Sequence, residues 1–422
     1  MPTPSDGLLL PEGTRLVHIG PPKTGTTSVQ SAFDTGRERL RPQGVQYAGR
    51  GRQPADAVLA VTGRASAFGP TPPPISKWTA LLNEIAGSPA KRVVISSEFF
   101  ADAKPEAIGR IADDLGRDRI HVVVTLRPLT RIVASQWQQY VQSGSRTALG
   151  PWLDAALGPG GRGLSPTFWV RHRHDELVQR WADAVGPDRV TAIVLDEKDH
   201  DYVLRVFEQL LGLTAGTLEA VEELSNRSMT MAEVEVVRAF NVAFNEAGLS
   251  KGLHTRVMRR GAARHIKMTR VPGPDEPKVE LPQWAFDHAG VVAAEMVPKI
   301  EASGIRIVGD LQRLLVVPQS RLAGDTIPPI LVPPDVGGSI AMGVLIATGL
   351  PRRDLERKAE PGRKWFRSSG EPVEIPELEL VPTSRLAAAL ARRVGHRARV
   401  VLLRPVRRLR RRTRNGTGAR PA

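Results

Sequence analysis

The stretch Thr14-Arg-Leu-Val-His-Ile-Gly-Pro-Pro-Lys-Thr-Gly-Thr-Thr27 decides the fold. Thr14 to Gly20 reads as a short buried strand and Ser28 to Leu40 as a helix, which makes residues 20–27 a strand-to-helix loop. α/β proteins hold phosphates in such loops, because backbone amides point at the ligand and the positive end of the helix dipole favours an anion. Here Lys23 brings a charge, Gly25 allows close backbone approach, and Thr26 and Thr27 bring hydroxyls. The plain alternative is a glycine-rich turn that binds nothing.

A Walker A loop, G-x-x-x-x-G-K-[ST], requires a lysine directly after Gly25, where this chain has Thr26. The lysine precedes the glycine instead, a place better suited to a single 5′-phosphate than to the β and γ positions of a triphosphate. A P-loop kinase or NTPase, which also needs an acidic magnesium ligand, is therefore the second reading.

Further strands are expected at Lys91–Ser96, Arg119–Leu126 and Arg189–Leu195, and a late strand or loop at Gly304–Asp310. Arg119–Leu126 is nearly all apolar, as a parallel strand covered on both faces should be. Helical spacing covers Leu129–Gln142, Arg171–Val185, Tyr202–Leu211 and residues 230–247 and 284–302. The alternation predicts an α/β fold: a P-loop-like three-layer arrangement with a central parallel sheet flanked by helices, plus a helical C-terminal extension. Proline-rich breaks at 70–74 and 328–334 mark a surface loop and a domain edge.

The formal charge of +15 over 422 residues suggests nucleic acid only until it is mapped. From Arg385 onward there are thirteen arginines and no acid, which leaves about +2 for residues 1–384. Basicity so distributed assigns the charge to a tail and weighs against nucleic acid as the partner of the folded body. The chain has no cysteine, which excludes disulfides, thiolate metal sites and cysteine nucleophiles and fits a reducing compartment. The first thirteen residues lack the features of a secretory signal, and no apolar run reaches the ~20 residues that span a bilayer. A cytoplasmic protein is expected, peripheral to the inner membrane face if the tail acts as a tether. A nucleic-acid or membrane-surface binding protein organised by that tail is the third reading, and it explains residues 385–422 alone.

A second motif follows the strand that ends at Leu126. Arg127-Pro-Leu-Thr-Arg-Ile-Val-Ala-Ser135 puts an arginine at a strand end and a serine eight residues later inside the next helix. An arginine fork can hold a phosphate bidentately, and the serine can add a contact. Taken together, Pro22-Lys-Thr-Gly-Thr-Thr27 and Arg127 with Ser135 resemble the 5′-phosphosulfate loop and the 3′-phosphate motif of the PAPS-dependent sulfotransferases, PAPS being 3′-phosphoadenosine-5′-phosphosulfate. Trp181–Glu197 and Tyr202–Leu213 are similar to the stretches that follow in that family. No clear copy of its R-K-G-x-x-G-x-W segment is present, so the chain looks more like the carbohydrate-modifying and bacterial branches. Asn226-Arg-Ser228 is a weak candidate for the nucleoside contacts, with a helix cap by Ser228 or Thr230 as the plainer role.

The resemblance implies transfer of a sulfuryl group from PAPS to a hydroxyl or amine of a carbohydrate, lipid-linked glycan or metabolite, with PAP released and no metal. It implies that Lys23, Thr24, Gly25, Thr26, Thr27, Arg127 and Ser135 hold the donor. The implied layout is a flexible leader over 1–13, a catalytic domain over 14–330, an extension over 331–384 and the tail over 385–422. The family also supplies a histidine or glutamate at a strand end between the two phosphate motifs. Glu98 is the one ionisable group at that turn, in Ser97-Glu98-Phe99-Phe100, where flanking phenylalanines offer to desolvate it. The catalytic pair is then Lys23 and Glu98. His121 is the rival by residue type, mid-strand, with a structural role expected. Arg171-His-Arg-His174 reads as a solvated helix face, or as a receiver for a sulfated or phosphorylated acceptor.

Overall fold

The structure, a computed structural model, describes residues 7–66, 71–158, 165–221, 227–325, 327–328 and 330–348. A six-stranded sheet, parallel at every pairing, runs in the order β2-β3-β1-β4-β5-β6. Its strands are β1 (Arg15–His18), β2 (Val45–Tyr47), β3 (Arg92–Ser96), β4 (Ile120–Leu126), β5 (Val190–Val194) and β6 (Arg306–Val308). Every residue of β3, β4 and β5 is buried, because helices cover both faces of a parallel sheet and leave no polar side for alternation.

On one face, Leu16, Val94, Val123 and Ile193 pack under the helices Thr26–Thr35 and Tyr202–Leu211, with Phe33 edge-on to Phe207 at 5.6 Å. Each such fully buried aromatic contributes about 1.5–3 kcal/mol by its removal from water. On the other face the helix His174–Val185 packs on β4, β5 and the helix Pro105–Leu115. The fold is thus the expected three-layer α/β arrangement. The helix expected over Ser28–Leu40 starts at Thr26 and stops at Gly36, and a separate short turn, Arg37–Leu40, follows. The helix expected over Arg171–Val185 is two: Pro166–His172, a break at Arg173 (φ −76°, ψ 83°), then His174–Val185.

The chain falls into two compact units. The first contains the sheet and the described residues through Trp137, 149–221 and 279–328; the second holds 138–148, 227–278 and 330–348. The second unit is helical. Its helix Met231–Glu246 begins with a capping box between Thr230 and Glu233, so Thr230 caps the helix after the Asn226–Ser228 run, of which Asn226 lies outside the described residues. Glu233 is fully buried and takes both Nη groups of Arg227 at 2.8 Å and Arg270 at 3.0 Å. Arg270 also binds Glu276 and, at 2.8 Å, Asp335 in the first turn of the helix Pro334–Ala347. That helix is the described part of the expected extension. The tail lies outside the described residues.

Candidate active site

Successive strands lie to one side of β1 through β3 and to the other through β4, so the strand order reverses at the middle of the sheet. Parallel α/β sheets bind ligands beyond the carboxyl ends of the strands at such a reversal. Four of the sequence's polar groups sit there on neighbouring strand ends: Glu98 after β3, the Lys23 loop after β1, Arg127 after β4 and Glu197 after β5. Backbone bonds tie these ends together, from Ser97 N–H to His18 O at 3.0 Å, Thr125 N–H to Gly20 O at 2.8 Å and Leu195 N–H to Leu126 O at 2.9 Å.

Left-handed backbone shapes the loop. Gly20 (φ 80°), Lys23 (φ 71°) and Gly25 (φ 76°) all have positive φ. Lys23 is the one non-glycine residue with this conformation among the described residues, and it costs an L-residue about 1–2 kcal/mol. Left-handed residues thus stand on either side of Thr24, and loops with such backbone can form anion-binding nests. No side chain caps the helix Thr26–Thr35, and its first turn carries no acid. Gly25 and Thr27 are exposed, Lys23 is half-buried, and Thr24 and Thr26 are buried. The hydroxyls of Thr24 and Thr26 turn inward and donate to Pro21 O at 2.7 and 3.0 Å. They brace the loop rather than face a ligand, so of the two expected hydroxyl residues, Thr26 and Thr27, only Thr27 is exposed.

Gly20 brings the turn after β3 against this loop. A Cβ at Gly20 would meet Glu98 Cα and Cβ at 3.2 Å. The Glu98 carboxylate accepts from Gln30 Nε2 at 3.1 Å and Gln53 Nε2 at 3.4 Å, and Gln53 Oε1 accepts from Ser97 Oγ at 2.7 Å. The phenylalanines do not enclose the carboxylate. Phe100 is buried edge-on to Trp181, and Phe99 lies under the Arg64 guanidinium at 5.7 Å. Two amides hold Glu98 in place of an apolar wall. Sequence reasoning misses both, because glutamines 68 and 45 residues away carry no signal.

Arg127 is a strut in this structure. Its Nε and Nη2 bind the two oxygens of Glu197 at 2.6 and 2.9 Å, and its Nη1 donates to the carbonyl of Lys23 at 3.2 Å. The hydrogen bonds from Arg127 hold the Glu197 carboxyl below the usual carboxylate range. Ser135 donates to its own helix, to Ile132 O at 2.9 Å. Arg127 therefore reaches the strained residue of the loop, while Ser135 is not hydrogen-bonded to either.

His18, His121, His172 and His174 are all buried. His18 is fully buried, 2.8 Å from Ser96 Oγ and 3.4 Å from Thr125 Oγ1, which in turn contacts Thr24 Oγ1 at 2.6 Å. Burial pushes His18 down to about 3. His121 bonds Thr191 Oγ1 at 2.8 Å and is pushed down to about 4, chiefly by burial, as a mid-strand histidine should be. Arg171–His174 corrects the expectation of a solvated face, for all four residues are buried. Arg171 forms a fork with Asp102 at 2.5 and 2.7 Å, and Arg173 one with Asp175 at 2.9 and 2.7 Å plus a bond to Glu295 at 3.0 Å. His172 is held well below its ordinary value by burial first, then by the charges of His174, Arg171 and Lys23.

No protein-family model matches the chain, and no curated protein matches it. Among solved structures, a sulfotransferase from Alicyclobacillus acidocaldarius superposes with a TM-score of 0.41 at 15% identity, covering 71% of this chain and 99% of that one.

Proposed function

We propose that the chain is a sulfotransferase that moves a sulfuryl group from PAPS to a hydroxyl or amine of a carbohydrate, lipid-linked glycan or metabolite and releases PAP. One observation carries the reading: a loop with an uncapped helix N-terminus and a left-handed lysine, pressed through Gly20 against Glu98 and braced from the other side by Arg127. The amides of residues 24–27 would receive the 5′-phosphosulfate. Arg127 would receive the 3′-phosphate once Glu197 gives up its bidentate hold, and Ser135 would add a contact.

The acceptor oxygen attacks sulfur in line, the bond from sulfur to the phosphate oxygen breaks, and the acceptor proton passes to the Glu98 carboxylate. Lys23 and the loop amides stabilise the charge that grows on the departing phosphate, and such fixed positive charge is the larger part of catalysis in transfers of this type. Gln30 and Gln53 keep the accepting carboxylate oriented without supplying it with a competing charge.

Thermal-shift titration tests the donor assignment, since binding to the folded state raises apparent stability with the logarithm of ligand excess over Kd. PAP is expected to stabilise the protein more than AMP or Mg-ATP, and Arg127→Ala to abolish the advantage of PAP over AMP. Equal or greater stabilisation by Mg-ATP overturns the proposal.

A further inference from the structure

We infer that the second unit carries a docking surface for an anionic lipid bilayer, built on the helical run Lys251–Thr269. Between Ala247 and Pro274 the chain has seven lysines and arginines and no acid. The near-neutral charge of the body is thus an average over unlike parts. Arg270 is drawn inward by Glu233, Glu276 and Asp335. The others are arranged differently: Arg256, Arg260 and Arg264 follow at four-residue steps, Arg259 lies beside them, and all four are exposed.

The backbone makes the stripe. Residues Thr255–Ala262 form a π-helix between the short helix Lys251–His254 and the helix Ala263–Thr269. The wider turn of a π-helix keeps residues four apart nearly in line, as an α-helix does with the opposite residual twist. Val257, Met258, Gly261 and Ala262 face inward. There the run meets the helix Pro334–Ala347 at contact distance: a Cβ on Gly261 would lie 2.6 Å from Ala347 Cβ, and one on Gly343 would lie 2.5 Å from Ala262 Cα. Packing consumes one side of the run and leaves the arginines on the other.

Charge alone would suit any polyanion, and the apolar side chains select the lipid. Met268, the next four-residue step after Arg264, is 45% exposed, and Val271 is 89% exposed. The partner helix carries no charge from Val336 onward and exposes Met342 at 40% and Ile346 at 39%. No Phe, Trp or Tyr occurs between Ala247 and Pro274, so the stacking surfaces that bind nucleic-acid bases are missing from this run. Cations next to exposed Met268 and Val271, with Met342 and Ile346 exposed on the neighbouring helix, match a headgroup layer over acyl chains. No described helix is long and apolar enough to cross a membrane, and at 14 residues the helix Pro334–Ala347 spans about 21 Å, which suits lying on a bilayer rather than through it.

Co-sedimentation of the full-length chain with vesicles of phosphatidylcholine, alone or mixed with phosphatidylglycerol, tests the inference. The parent is expected to bind only the mixed vesicles, and less as salt rises. Changing Arg256, Arg259 and Arg264 together to Glu should lower partitioning by about 100-fold, since each cation near an anionic surface contributes about a five-fold factor. The pair Met342→Ser and Ile346→Ser should lower it by about ten-fold through lost apolar insertion. Circular dichroism and melting temperature confirm folding of each variant, whose altered side chains are all exposed. Unchanged vesicle binding by the arginine variant would assign attachment to the tail and overturn the inference. Unchanged binding by the Met342 and Ile346 pair would also overturn it, and binding of heparin or duplex DNA through the same arginines would then identify the surface as a polyanion site.

Discussion

As bare sequence, Arg171-His-Arg-His174 of the first unit and Arg256 to Arg264 of the helical unit are alike, each a cluster of cations on a helical run. In space they are opposites. The former is buried, its arginines matched by Asp102, Asp175 and Glu295; the latter is exposed, in a stretch that has no acid of its own. A buried guanidinium must be paired because removing it from water costs several kcal/mol, while an exposed one keeps much of its hydration. The role of a basic cluster is therefore written in the carboxylates that fold against it.

Acid is the strongest way to test this contrast. His18 is held at about 3 and His174 and His121 at about 4 in the first unit, against His254 at about 4 in the second. Each value lies below the ~6.5 of an unfolded histidine, so the stability that neutral burial gives is complete above pH 6.5 and is lost as pH falls toward 4. At pH 5 each costs about 2 kcal/mol, and the first unit bears more of them. Every tryptophan among the described residues lies in the first unit, so tryptophan fluorescence should report its unfolding near pH 5. A melting temperature unchanged between pH 8 and pH 5 breaks the contrast.

Arg173→Ala comes next. With side-chain exposures of 5% for Arg173 and 3% for Asp175, the change removes the fork on a buried carboxylate, leaves it Lys299 at 3.6 Å, and should destabilise by about 3–5 kcal/mol in urea titration. A loss below about 1 kcal/mol would make the buried cluster no different from the exposed one.

Lys23 is a third kind of cation, half-buried and held in a left-handed conformation. Lys23→Gly relieves that strain and should raise stability by about 1 kcal/mol while weakening PAP binding. Higher stability with unchanged PAP affinity would reduce Lys23 to a turn residue. The smallest effect belongs to the exposed stripe. Arg256→Ala, Arg259→Ala and Arg264→Ala should each shift stability by no more than about 0.5 kcal/mol.

Much of the fold was legible because its strands are buried on both faces and its helices carry strong periodicity; Leu129–Gln142 and Tyr202–Leu211 have the expected ends. β2 escaped notice because three residues after Gly44 show no period. Of the site, the loop and the turn at Glu98 were readable, since glycine and lysine positions carry local meaning. The Arg127–Glu197 fork, the glutamines on Glu98 and the inward threonines were not, because each depends on residues that meet only across the sheet. The charge balance misled for the same reason: summed over 384 residues, the acids of one unit concealed the exposed cations of the other.

Both edges of the sheet, β2 and β6, are three residues long, whereas β4 is seven. An edge this short offers a stray strand too few hydrogen bonds to hold, so neighbouring copies gain little by adding to the sheet. The protein thereby carries its own protection against fibre growth, and lengthening either edge by a few alternating apolar residues would remove it.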